Sequence, residues 1–284
     1  MHARTCTIVP EPGVDTAHGR MPGMTKVRLD RIGAVGEIVI AAPPLNLFDA
    51  TVVADMKQAL TDARTAAEAG DLRAVLLRAD GRVFCGGVDV HEFRGKDEQE
   101  GGRFLGDLLG LTLGFEAIPV PTVAVVHGIN LTIGFEISLG CDLLWAADNA
   151  RFGLVEATVG LTPGAGGTQR LVARAGVARA AELVMTGEIY PAADMLAWGV
   201  VNQVRPAATL LDDARAAATA LAAGPTAATA IGKRLLRTAR DHGVAAADAI
   251  TVAETSAIFS TRDFPTGIES LITQGPRKAH FEGR

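Results

Sequence analysis

The sequence predicts an α/β core followed by a C-terminal layer of helices, and three observations carry that expectation. Short apolar runs rich in β-branched residues alternate with helical patterns up to about residue 206. Beyond that point only alanine-rich helical patterns remain. The 284 residues, 48% hydrophobic and 21% charged, suffice to bury a large core and are too apolar for a disordered chain.

In chain order, residues 1–24 carry Pro10, Pro12, Gly13, Gly19, Pro22 and Gly23 among scattered charges. They read as a disordered extension ahead of an α/β core over 25–206 and a helical region over 207–284. Residues 37–41 read as a strand stopped by Pro43 and Pro44. Residues 49–70 read as a helix with an acidic cap and a glycine stop, its inner face made by Val53, Met56, Leu60, Ala63 and Ala67. Residues 74–78 and 122–126 are continuous apolar runs, as in buried strands of a mostly parallel sheet, with a helix over 104–115 between them. Further strands are expected at 143–146 and 200–204. Helices then follow near 208–223, 226–241 and 244–260, with a short one near 265–273. Such a layer must pack on something apolar, and a partner subunit is one candidate.

Charge and cysteine usage narrow the function classes. Against 32 acidic side chains stand 27 basic ones, a net charge of −5, which disfavours nucleic acid as the main partner. Cys6, Cys85 and Cys141 fit neither a zinc spacing nor an even disulfide framework, as expected of a cytoplasmic protein. No run approaches the roughly 20 apolar residues that span a bilayer, so no membrane insertion is expected. Glu11 and Asp15 stand where a signal peptide would need an apolar stretch.

Three segments concentrate the chemistry. In 81–89 (GRVFCGGVD), Gly86 and Gly87 allow a bend that exposes the N–H of Val88 to an anion. In 126–142 (VHGINLTIGFEISLGCD), a helix starting near Thr132 presents unpaired N–H groups, with Ile133 and Glu136 as i, i+3 neighbours. In 152–171 (FGLVEATVGLTPGAGGTQRL), Glu156 lies in an apolar stretch, and burial among Leu154, Val155 and Val159 would raise its pKa toward neutrality. Read alone, each has a plainer alternative: an ordinary turn, a carboxylate complementing a helix dipole, a solvent-facing loop glutamate. The Gly164 to Gly167 run lacks the full pattern of a dinucleotide turn.

Taken together, the three segments resemble the crotonase superfamily, and enoyl-CoA hydratase most. They are similar to its F-x-x-G-x-D turn, an altered form of its N-G-x-x-x-G-x-G-x-E helix start, and its E-x-x-x-G-x-x-P-G-x-G-G-T-Q-R-L segment. Asp263, Gly267, Pro276, Phe281 and Gly283 resemble the family's closing residues. The resemblance implies a spiral of ββα turns with a C-terminal helical trimerisation region, assembled as homotrimers or homohexamers. It implies an oxyanion hole from the N–H groups of Val88 and Ile133, with Glu136 and Glu156 flanking the water. The carbonyl of Gly86 would meet the adenine, Asp89, Val90 and His91 would continue the substrate turn, and Arg82 would lie near the CoA phosphates. The partner is then an acyl-CoA thioester, with coenzyme A part of the substrate and no metal, flavin or nicotinamide. A Δ3,Δ2-enoyl-CoA isomerase or a non-catalytic acyl-CoA binder are the alternatives.

The chain departs from the family pattern at Thr132 and Ile133, where glycines are usual, at Val155 for a proline, and at His91 for a basic residue. A branched side chain at 133 is expected to project near the acyl pocket. His127 reads as a structural hydrogen-bonding residue, Cys85 and Cys141 as small buried side chains, and Trp145 and Trp198 as core. Lys233, Arg234, Arg237 and Arg240 read as a solvated helix face, with contact to a CoA phosphate or a neighbouring subunit as the alternative.

Overall fold

The computed structural model describes residues 25–283, so the expectation for residues 1–24 lies outside them. β1 (Val27–Ile32) and β2 (Val35–Ile40) form an antiparallel hairpin, and β2 is buried at all six positions. β3 (Ala74–Ala79), β4 (Thr122–Val126), β6 (Leu143–Ala147) and β9 (Gln203–Arg205) extend it in parallel, giving the order β1-β2-β3-β4-β6-β9. Strands covered on both faces need apolar side chains at every position, which is why their sequences run without alternation. β5 (Ile129–Leu131), β7 (Arg151–Gly153) and β8 (Ile189–Pro191) make a second sheet of three short strands. The fold is thus α/β, as expected, with a smaller sheet that three-residue strands are too short to announce.

α1 (Ala50–Glu68) begins where the Asp49 carboxylate accepts the Val52 N–H at 2.8 Å, and every residue of its anticipated inner face is buried. α2 (Glu98–Ala117) starts six residues before the expected 104. Asp97 and Glu100 form a reciprocal capping box that nucleates the helix despite Gly101 and Gly102. α3 (Ile133–Gly140) is buried along its whole length, and α4 (Gly167–Thr186) follows, kinked at Gly176. After the short α5 (Ala192–Ala197), α6 (Leu210–Ala222) lies across β2, β3, β4 and β6 through Leu210, Ala214, Ala218 and Ala222. α7 (Thr226–His242), α8 (Val244–Ser256) and α9 (Asp263–Gln274) complete the chain, and the buried Asp263 carboxylate accepts the N–H groups of Glu282 and Gly283. No helix among the described residues is long and apolar enough to cross a membrane.

Two expectations are corrected here. Trp198 is half-buried at the rim of the core, packed on Tyr190 and under the guanidinium of Arg179, whereas Trp145 is buried as expected. The basic face of α7 is solvated only in part: Lys233 is buried on Asp142, Arg237 is half-buried against Glu116, and Arg240 reaches Glu116 from an exposed position. Arg234 and Arg240 stay exposed, Arg234 paired with Glu254 and Arg240 also with Asp241. Sequence spacing places these side chains together but cannot show that carboxylates from distant segments lie beneath them.

Candidate active site

The site begins at a loop fastened by Asn46. This buried asparagine, at φ 51°, donates through Nδ2 to the carbonyls of Val83 at 2.7 Å and Asp80 at 3.0 Å. Its Oδ1 accepts the Ala42 N–H at 2.8 Å. The next turn is held on both sides. Phe48 donates to the Gly87 carbonyl at 2.9 Å and accepts the Asp89 N–H at 3.1 Å. In a parallel pairing of this kind the residue between the two bonded groups turns its own N–H the other way. That residue is Val88, and its N–H meets no protein acceptor among the described residues.

On the other side, Cys85 donates to Ile129 at 3.0 Å and accepts from Leu131 at 2.9 Å, which joins the turn to β5. The chain then passes through Thr132 at φ 48°, ψ −122°, a conformation usual only for glycine, and enters α3. Ile133 is the first residue of that helix, so its N–H has no intrahelical partner, and none is found among the described residues. The two turns touch. A Cβ built on Gly87, at φ 117°, would stand 2.7 Å from Thr132 Oγ1, and one on Gly134 would stand 2.3 Å from the Cβ of Cys85. Glycine at both positions is what lets the two turns approach so closely. The Ile133 side chain itself is fully buried in the core.

Glu136 lies one turn into α3 and is 2% exposed. Its Oε1 accepts the N–H groups of Ala165 and Gly167, each at 2.9 Å. Burial nevertheless pushes its pKa up to about 7, against those two bonds and the positive charge of Arg170. Glu156 opens a 3-10 turn (Glu156–Val159) and is 9% exposed, with Oε2 buried and unpaired. Burial, then the charge of Glu136, pushes it up to about 7 as well. The expected wall is only partly present: Leu154 is buried, but Val159 points to solvent.

The residues expected to form the ligand turn lie as follows. The Gly86 carbonyl accepts no backbone hydrogen bond among the described residues. The Asp89 carboxylate is occupied in its own turn, accepting the His91 N–H at 3.0 Å and capping the 3-10 segment Val90–Phe93. Arg82, Val90 and His91 are exposed at the surface. His127 bonds the Gly81 carbonyl at 2.9 Å, in keeping with a structural role. Cys85 and Cys141 are buried, and burial pushes both thiols up to about 12, so neither is a nucleophile at neutral pH.

Sequence reasoning missed Asn46 and the Ala165 and Gly167 donors. An asparagine after two prolines is a turn signal that could have marked the first. Nothing in the sequence pairs Glu136 with the start of α4. A largely parallel six-stranded sheet closed by helices, with a second sheet of short strands, is a fold of the crotonase type. A family model described as enoyl-CoA hydratase/isomerase matches residues 30–284, and the chain belongs to that family.

Among its relatives, a probable enoyl-CoA hydratase of Mycobacterium tuberculosis is 30% identical over 256 residues, 89% of this chain and 98% of that protein. The mouse enoyl-CoA hydratase domain-containing protein 2, mitochondrial, is 38% identical over 202 residues, 71% of this chain. The match spans 63% of that mouse protein's length. The crystal structure of enoyl-CoA hydratase from Bacillus anthracis superposes with a TM-score of 0.85 at 27% identity, covering 91% of this chain and 100% of that one.

Proposed function

We propose that the chain is an enoyl-CoA hydratase, adding water across the 2,3 double bond of an enoyl-CoA thioester to give a 3-hydroxyacyl-CoA. The observation that carries this reading is the pair of buried carboxyl groups, Glu136 and Glu156, both near pKa 7 and within reach of each other's charge. Such a pair holds one proton between two sites at neutral pH, so one group can give a proton while the other takes one. Glu136, with two N–H donors on Oε1, is the better-stabilised anion and takes the proton of the attacking water. Glu156 delivers its proton to C2. As the water oxygen bonds to C3, the π electrons move onto the thioester oxygen, where the N–H groups of Val88 and Ile133 hold the developing charge.

In this reading coenzyme A enters as part of the substrate and no separate cofactor is required. The unbonded Gly86 carbonyl takes the adenine and Arg82 lies by the phosphates. Val252, Phe259 and Ile272 on the last helices are exposed, which supports trimers, or hexamers built from them, with light scattering as the check.

The test follows loss of crotonyl-CoA absorbance. Wild type should hydrate it, and Glu136→Gln and Glu156→Gln should each lose at least about a hundredfold. Absence of turnover in wild type at micromolar enzyme overturns the reading, and unchanged CoA binding in both variants then marks a binder. The full occupation of Glu136 Oε1 favours one second reading, an isomerase in which Glu156 alone shuttles the proton. A Glu136→Gln variant that still converts a 3-enoyl-CoA to the 2-enoyl-CoA while wild type fails to hydrate crotonyl-CoA would select it.

A further inference from the structure

Basic side chains of α7 line a cavity of about 430 Å³, bounded by α3, the start of β6, α4 and α7. Neither Glu136 nor Glu156 lines it. Its charges are unbalanced. The buried Glu116 faces three guanidiniums: Arg170 grips it with two bonds of 3.1 and 2.7 Å, Arg240 reaches it at 2.7 Å, and Arg237 lies 3.6 Å away. Lys233 is matched by Asp142 at 2.7 Å. Arg174 makes no direct ion pair among the described residues, although the charges of Asp142 and Glu116 reach it. It donates to the carbonyls of Cys141 at 2.7 Å and Val200 at 3.2 Å, and burial disfavours its charge. Five cations line it against Glu116 and Asp142, and Asp241 beside it pairs with Arg240 at 2.6 Å, so the excess is +2.

Excess guanidinium charge in a half-buried, partly apolar cavity is costly unless an anion completes it. Guanidinium forks match phosphate oxygens in pairs, and the volume suits a small organic molecule. The cavity opens beside Leu236, which lines it and is 75% exposed. We propose that this cavity is a binding site for a small phosphate-bearing molecule of roughly two negative charges, separate from the turn that carries Val88 and Ile133. It stands on its own geometry, whatever reaction the other site performs.

Inorganic pyrophosphate is the probe, titrated calorimetrically into the full chain at low ionic strength. Saturable one-to-one binding is expected, weakened about tenfold or more in Arg174→Gln, the loss of one charged hydrogen-bonding partner. Leu236→Glu, at an exposed position that spares the fold, sets a carboxylate at the mouth and should weaken binding as well. Leu236→Gln should leave it within about twofold. Arg82→Gln, in the proposed CoA turn, should leave it unchanged. Absence of saturable binding to wild type overturns the proposal. So does undiminished affinity in Leu236→Glu, or loss of binding in Arg82→Gln alone.

Discussion

The negative charge of Glu136 makes Glu156 harder to ionise, and both carboxyl groups are held near pKa 7 by burial. In the unfolded chain a glutamate titrates near 4.5, so the folded protein binds more protons than the unfolded one between about pH 4.5 and 7. A folded pKa raised in this way stabilises fully below the unfolded value, and that contribution is lost as pH rises through the folded one. Glu156→Gln removes the titration. The variant should gain stability over wild type by about 3 kcal/mol on going from pH 4 to pH 8, read from urea midpoints at the two values. An equal difference at both pH values would show that Glu156 ionises freely in the fold. In kcat/KM for crotonyl-CoA, the same pair should give a bell centred near neutrality.

Gly87 and Thr132 meet across the two turns that carry the proposed oxyanion donors. Gly87→Ala puts a methyl 2.7 Å from Thr132 Oγ1 at a backbone φ of 117° that alanine resists. The turn must shift, and Val88 N–H with it. Loss of one aligned donor costs on the order of a hundredfold in kcat, with CoA affinity altered far less. Adding Thr132→Gly to Gly87→Ala removes the steric partner and should restore about a tenth of the wild-type rate, leaving only the backbone strain. Failure of the second change to restore any activity would mean that the contact is not what positions the donor.

Much of this architecture is readable in the chain before folding, for identifiable reasons. β2, β3 and β4 are buried on both faces, so their apolar runs are unbroken, and the inner stripe of α1 recurs at helical spacing. The two glutamates stand out because a carboxylate in an apolar stretch is costly without a purpose. Other features depend on pairings that no local pattern encodes. β5, β7 and β8 are three residues each and depend on pairings with distant segments. The reach of Arg240 depends on Glu116, 124 residues earlier. A run of bases on one helix face reads as solvated unless its distant counter-charges are known.

Thr132 occupies a glycine conformation with a side chain attached, and its Oγ1 is buried without a hydrogen-bond partner. Thr132→Gly releases strain of about 1–3 kcal/mol and removes that unpaired hydroxyl. The extra freedom of glycine in the unfolded chain offsets about 0.5–1 kcal/mol of this gain. The net expectation is a protein more stable by about 1 kcal/mol, measured as a higher urea midpoint at unchanged slope. A lower midpoint would show that the threonine methyl packs well enough to outweigh its backbone.

Ile133 supplies a main-chain donor to the proposed site while its side chain has no exposed surface and belongs to the core. The two functions can therefore be separated by truncation. Ile133→Ala keeps the N–H and the first turn of α3 but leaves a cavity, so it should destabilise the fold by about 3 kcal/mol. Hydration of crotonyl-CoA by the folded fraction should stay within about tenfold of wild type, because the donor that holds the thioester oxygen is unchanged. Faster turnover of longer or branched enoyl-CoA substrates with no loss in urea midpoint would reverse the assignment: the side chain would then be restricting the acyl channel, as its place beside the donor suggests from sequence alone, and contributing little to the core.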